Sequence, residues 1–359
     1  MKRIILAGGG HGHINILKNL LKEPLEDFEI LLITDNKKQY YSGMLAGFLE
    51  GIYKEDEVSF DVEKLCKLAG VHFINDKITE IDKRKEIVKT EKNSYSYDYL
   101  SVNLGSSSDL SSFDINSSNI SLVKPISNVI ESKEYLRKDI LSKDSSYKLF
   151  FIGGGPSGVE LALAFRSAYK NIDISIITAD EIFAKYSKSA QKRIKKILKK
   201  KNINLIENKK VLEIKDDNII TDGKIYSFDY AFVTTGFKGP DIDFKNFETY
   251  DNNFLKVDDK LTAADNVLAM GDVATIDKYP RLPKAGVFAI RQAPFLYNNL
   301  KKIINNKVDL ETYEPNKYYL QIINCGNKKG LAMYANMAFY GKIPWMIKDK
   351  IDSEYMIVE

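Results

Sequence analysis

Two glycine-rich turns hold the residue types whose spacing could do chemistry. The first, Gly8-Gly9-Gly10-His11-Gly12-His13, carries two of the chain's three histidines, and the second, Gly153-Gly154-Gly155-Pro156-Ser157-Gly158, carries none. Glycines so spaced let a phosphate come close to the backbone N–H groups of a helix start, where the helix dipole also favours an anion. A His-x-His pair could instead ligate a metal, yet neither a carboxylate nor a cysteine stands beside it. The turns therefore read as pyrophosphate cradles, and no metal is expected.

Each cradle needs a strand before it and a helix behind it. Ile4 to Leu6 run into the first turn, Ile14, Leu17, Leu20 and Leu21 recur at helical spacing, and a second apolar run, Ile30 to Ile33, closes on Asp35. Leu149 to Ile152 run into the second turn, whose helix leads to Ile174–Ile177 and Asp180. Both acids lie 22 residues past the sixth position of their turn, so Asp35 and Asp180 are expected to hold the same place and to accept from ribose hydroxyls. Downstream, Tyr95 to Gly105 aligns with Tyr226 to Gly236, identical at six of eleven positions. Each match is preceded by short alternating segments, Val71 to Lys89 and Ile203 to Ile220, that read as a β-meander. The chain thus holds two dinucleotide units of related design. One departure stands out: His13 replaces the third glycine that Gly158 keeps, which limits how closely helix and strand can pack. His11 either bonds the phosphates or cofactor edge or simply fits the loop.

A chain of 359 residues accommodates two or three domains, and 53 basic against 49 acidic residues, a net charge of +4, gives no reason to expect a nucleic-acid partner. The Lys192–Lys201 run reads as a solvated helix face. No segment resembles a signal peptide or a membrane span, and Cys66 and Cys325 are far apart without a CxxC pair. A reducing, cytoplasmic setting is expected.

With Asn266-Val267-Leu268-Ala269-Met270-Gly271-Asp272-Val273-Ala274 added to the two turns, the chain resembles the pyridine nucleotide-disulfide oxidoreductase superfamily of two-dinucleotide flavoproteins. Tyr40 to Leu45, Leu282 to Pro294 and Trp345 to Met356 look like the branch near type II NADH dehydrogenases and the flavoprotein domain found fused to selenophosphate synthetase. The resemblance implies an α/β fold of two Rossmann-like domains with β-meander insertions and a small C-terminal α+β segment. Its divisions are an FAD domain over 1–124 and again over 240–310, an NAD(P)H domain over 125–239 and an interface segment over 311–359. FAD contacts are expected from Gly8, Gly10, His11, Gly12, Asp35, Ser42, Gly43, Ile78, Gly105, Gly271, Asp272, Lys284 and Ala285. NAD(P)H contacts are expected from Gly153, Gly155, Gly158, Glu160, Asp180 and Gly236.

A disulfide reductase needs a thiolate pair against the flavin, and Tyr40 to Leu45, where it would stand, has no cysteine. A sulfide:quinone oxidoreductase remains a lesser alternative through Cys325, and a slow-turnover, redox-responsive protein that binds NADH and FAD is another. The main expectation is hydride transfer from NADH to FAD and on to a non-disulfide acceptor, a quinone by resemblance. Lys284, ahead of a helix over Lys284–Leu300, would place positive charge at the flavin N1 and O2 edge, and Gln292 would line the flavin and quinone pocket. Asp180, with no arginine nearby, favours NADH while leaving NADPH open; the alternative is that Asp180 and Glu181 lie one residue past the usual position and leave Ala179 there. Near the C-terminus Ile347, Ile351, Tyr355 and Val358 form one apolar stripe. It is expected to cover the flavin's far face or pair two protomers, ahead of peripheral contact at the inner membrane face. No longer C-terminal anchor follows it, so a protein needing no detergent is expected.

Overall fold

The computed structural model describes residues 1–143 and 146–358. The first unit begins with β1 (Lys2–Ala7), α1 (His11–Lys22) and β2 (Phe28–Thr34). β1 pairs in parallel with β2, Ala7 beside Ile33, and on its other side with Tyr99–Val102. The late strand Val267–Ala269 joins that edge in parallel, so the first unit is closed by chain that returns after the second is complete. The second unit repeats the plan with β3 (Tyr147–Ile152), α2 (Pro156–Ala168) and β4 (Ile172–Ile177), Ile152 beside Ile177. Near-continuous apolar runs in these strands follow from burial on both faces of a parallel sheet.

The meanders are shorter than the alternating pattern implies. Ile78–Asp82, Ile87–Thr90 and Ser94–Ser96 form the first, and Val211–Lys215, Asn218–Thr221 and Lys224–Ser227 the second. The preceding runs, His72–Asn75 and Ile203–Ile206, instead add parallel strands beside β2 and β4. The two crossing segments are stitched at Ser107–Ser108 against Phe237–Lys238 and exchange strands: Asp114–Asn116 joins the second meander and Asp243–Lys245 the first.

α3 (Gly286–Ile304) begins two residues later than expected, which leaves Lys284 in the loop ahead of it, and Pro294 lies inside the helix. Beyond it, the strands Gln321–Asn324, Gly330–Tyr334 and Met337–Gly341 form an antiparallel sheet, followed by α4 (Lys342–Met356). α4 reverses the expected stripe. Its inward side is Pro344, Lys348 and Asp352, while Ile343, Met346, Ile347 and Ile351 are 71%, 61%, 42% and 51% exposed. Tyr355 turns inward and Val358 lies past the helix end, so these four do not share one face. The inward side is polar because its partners are: Tyr41 donates to Asp352 at 3.0 Å, and Lys348 reaches Asp352 at 2.6 Å and the Gly43 carbonyl at 2.5 Å. Lys18 satisfies the Tyr355 and Ile357 carbonyls at the helix end, at 2.8 and 2.6 Å. No described helix is long and apolar enough to cross a membrane.

Candidate active site

The first turn is built by local chemistry and then locked by distant residues. Gly8 has a φ of +98°, which a side chain rarely tolerates, and its N–H donates to the Ile33 carbonyl at 2.8 Å. Gly10 starts α1 without a side-chain cap. Asn103 accepts from the Gly12 N–H at 2.9 Å, donates to the Met270 carbonyl at 2.9 Å, and fills the space where a Gly10 side chain would go. His13 is fully buried and bridges the Gly8 carbonyl at 2.6 Å and the Ser101 hydroxyl at 2.8 Å; burial lowers its pKa to about 4. The third glycine's place is thus taken by a neutral imidazole that ties the loop to the sheet. His11, half-buried, has its Nδ1 2.9 Å from the Tyr355 hydroxyl and lies edge-on to the Tyr41 ring; burial lowers its pKa to about 4 as well.

The returning strand ends at Gly271, where φ is +73°, and Asp272. Gln292 is buried and accepts from the Gly271 N–H at 2.8 Å, so it braces this turn. Lys124 is ion-paired with Asp272 and donates to Ser106 at 2.6 Å; Ser106 in turn donates to Asp272 at 3.3 Å. Lys284 packs over the Phe254 ring at 4.3 Å and donates to Thr275 at 2.9 Å and to the Ala274 carbonyl. Burial lowers its pKa to about 8, against the pull of Asp272 and with the help of Lys124. Gly271, Asp272, Pro283, Lys284, Ala285 and Gln292 line one cleft. Ser42 adjoins it, its hydroxyl 3.5 Å from where a Gly286 side chain would begin.

The second turn has the same backbone and a different finish. Gly153 N–H donates to the Ile177 carbonyl at 2.8 Å, Gly155 starts α2 without a side-chain cap, and a side chain on Gly155 would meet nothing within 4 Å. Thr235 turns its methyl toward Gly153, and its hydroxyl is buried without a hydrogen-bond partner among the described residues. Open space over a helix start suits a phosphate-bearing ligand. Gly105 and Gly236 lie three residues past the matching strands Tyr99–Val102 and Tyr230–Val233, with φ of +76° and +62°, whereas Ile78 is a buried residue at the start of the first meander. Glu160 is directed toward the C-terminal segment, accepting from Asn324 N–H at 2.6 Å; burial raises its pKa to about 7, with Lys348 opposing.

Asp35 and Asp180 do not hold the same place. The matched bonds Gly8–Ile33 and Gly153–Ile177 put Thr178 where Thr34 stands and Ala179 where Asp35 stands. Both cysteines are buried: Cys66 lies on the helix Val62–Leu68 with its thiol pushed up to about 12, and burial also raises the Cys325 thiol. Among the described residues, no group of three or more His, Cys, Asp or Glu is placed to hold a metal.

A family model described as pyridine nucleotide-disulphide oxidoreductase matches residues 2–293. The chain belongs to that family. It is a flavin-dependent NAD(P)H oxidoreductase. A type II NADH:quinone oxidoreductase of Staphylococcus haemolyticus (strain JCSC1435) is 29% identical over 169 residues, 44% of this chain and 42% of that protein. NADH dehydrogenase-like protein YutJ of Bacillus subtilis (strain 168) is 23% identical over 361 residues, 97% of each chain. The structure of NDH2 from Plasmodium falciparum in complex with NADH superposes with a TM-score of 0.83 at 16% identity, covering 99% of this chain and 96% of that one. At that identity the likeness is one of fold. Lys124, Ser106 and Asn103 are the residues that sequence reasoning missed. Only Asn103 left a signal, as a polar residue ending an apolar strand where the repeat has Thr234.

Proposed function

We propose that this protein passes electrons from NAD(P)H, through non-covalent FAD held by the first unit, to a small non-disulfide acceptor of the quinone class. The observation that carries the reading is the cleft of Asp272, Lys284 and Gln292: it is lined by a carboxylate, a cation and an amide, and neither cysteine is among its residues. The relatives named for NADH and quinone chemistry support the donor and acceptor classes. Burial of both thiols, which disfavours the thiolate, argues against disulfide or sulfide chemistry.

Bound flavin supplies two-electron exchange between the nicotinamide and the acceptor. The residues around it bind and orient. Asp272, held by Lys124 and Ser106, would accept from ribityl hydroxyls, and Gln292 keeps the Gly271 turn in register. Lys284 and the start of α3 would offer positive charge to a bound flavin. The outward apolar face of α4 supports peripheral contact with a membrane surface, where a hydrophobic acceptor would be met.

The deciding experiment is anaerobic reduction of the purified yellow protein by NADH, followed by reoxidation with short-chain quinones. A colourless protein that cannot be reconstituted with FAD would sink the reading. A reduced complex that quinones do not reoxidise would favour a slow-turnover binding role.

A further inference from the structure

The two units can be compared at the strand end where a nucleotide's ribose would be read. A dinucleotide unit selects NADH over NADPH with an acid at the end of its second strand, which accepts from the ribose hydroxyls and repels a 2′-phosphate. In the first unit β2 ends at Thr34, whose side chain lies under Gly9, and exposed Asp35 follows. In the second, buried Thr178 lies under Gly154 in the same way and the next residue is Ala179. Asp180 is displaced one residue further, to the place of Asn36.

Apart from exposed Asp180 itself, the acids near Ala179 are paired. Glu181 is paired with Lys188 at 2.9 Å, and Glu207 with Lys195 at 2.9 Å while it also accepts from Ile182 N–H at 2.7 Å. Lys209 donates its backbone N–H to the Thr178 carbonyl at 3.0 Å, which brings a lysine to the same strand end, and its Nζ lies 3.5 Å from Asp222. A 2′-phosphate arriving over Ala179 would meet a methyl group, with the exposed Asp180 carboxylate one residue further on, and a ribose hydroxyl would find no carboxylate at Ala179 itself.

We propose that the enzyme discriminates little between the two nucleotides, NADPH being a substrate comparable to NADH, and that Ala179 is the specificity-determining position. The inference rests on the second unit being the NAD(P)H site. The test measures kcat/KM for flavin reduction by each nucleotide, together with equilibrium binding of NAD⁺ and NADP⁺ to the oxidised holoenzyme. The two nucleotides should agree within about tenfold in both readouts. Ala179→Glu should shift the ratio at least ~30-fold toward NADH, chiefly by weakening NADP⁺ binding, while reoxidation of dithionite-reduced flavin stays unchanged. Ala179→Ser should leave the ratio near that of wild type. A wild-type preference for NADH above ~100-fold that collapses in Asp180→Ala would overturn the inference and return the role to Asp180, with the functional reading intact. If neither nucleotide bound or reduced the flavin, the functional reading would fall and this inference with it.

Discussion

Behind Gly10 a buried side chain, Asn103, fills the space and ties Gly12 to Met270; behind Gly158 the equivalent Thr234 returns its hydroxyl to its own sheet at Ile152, 2.9 Å away, and Gly155 faces open space. Both turns start uncapped helices and share the bond from their first glycine to the neighbouring strand. The first, however, is stitched to the returning strand, through His11 and Lys18 to the end of α4, and by His13 to its sheet. The second is left accessible. A repeated backbone therefore makes two glycine turns, proposed as phosphate cradles, and the side chains behind them decide which is built into the core and which is left open. This division fits a resident flavin in the first unit and a nucleotide that comes and goes in the second.

The largest effect should come from filling the two cradles. Gly155→Val places its branched side chain in open space, so the protein should fold and stay yellow while flavin reduction by NAD(P)H falls by ~100-fold or more, read by anaerobic stopped flow. Gly10→Val drives a side chain into Asn103 and should instead cost folding or FAD retention. Equal FAD loss in two still-folded variants would erase the proposed division of roles.

Removing the stitch itself should matter next. Asn103→Ala leaves the Gly12 N–H and Met270 carbonyl without their partner, a loss of roughly 2–3 kcal/mol seen as a lower Tm and faster FAD release. Thr234→Val should cost only about 1 kcal/mol and leave FAD retention alone, since its hydroxyl serves its own sheet. Similar losses of FAD in both variants would contradict the comparison.

A third contrast is in pH. The buried His13 has a folded pKa of about 4 against the ordinary 6.5, so between these values the unfolded chain binds more protons and stability falls as pH drops. At pH 5 the loss from this one group is about 2 kcal/mol. His13→Gln should flatten the decline of Tm between pH 6.5 and 5, and an unchanged slope would show that this loop does not set it. The smallest effect belongs to the thiols: Cys66→Ser and Cys325→Ser should each leave flavin reduction within a few-fold of wild type, whereas loss of sulfide-dependent turnover in Cys325→Ser would revive sulfide chemistry.

Several features were legible from the chain alone because they are local. Positive φ at Gly8 and Gly153, the helical recurrence of Ile14, Leu17 and Leu20, and the apolar runs of the parallel strands each depend on a few neighbouring residues. So does the glycine spacing that opens a helix to a phosphate, and the order of these motifs was enough for the family. What tertiary structure decided lies in contacts between residues far apart in sequence: Asn103 with Gly12 across 91 positions, Lys124 with Asp272 across 148, and Tyr355 with His11 across 344. α4 was misread for the same reason, since periodicity reveals a stripe but not which side finds partners; Tyr41 and the Gly43 carbonyl drew Lys348 and Asp352 inward and left the isoleucines outside. The one-residue offset between Asp35 and Asp180 was only an alternative to counting, which left Asp180 and Ala179 both open. Spacing from the turn includes the helix and its loop, whereas the place of a residue at a strand end is set by the pairing of β3 with β4, which only the folded sheet fixes.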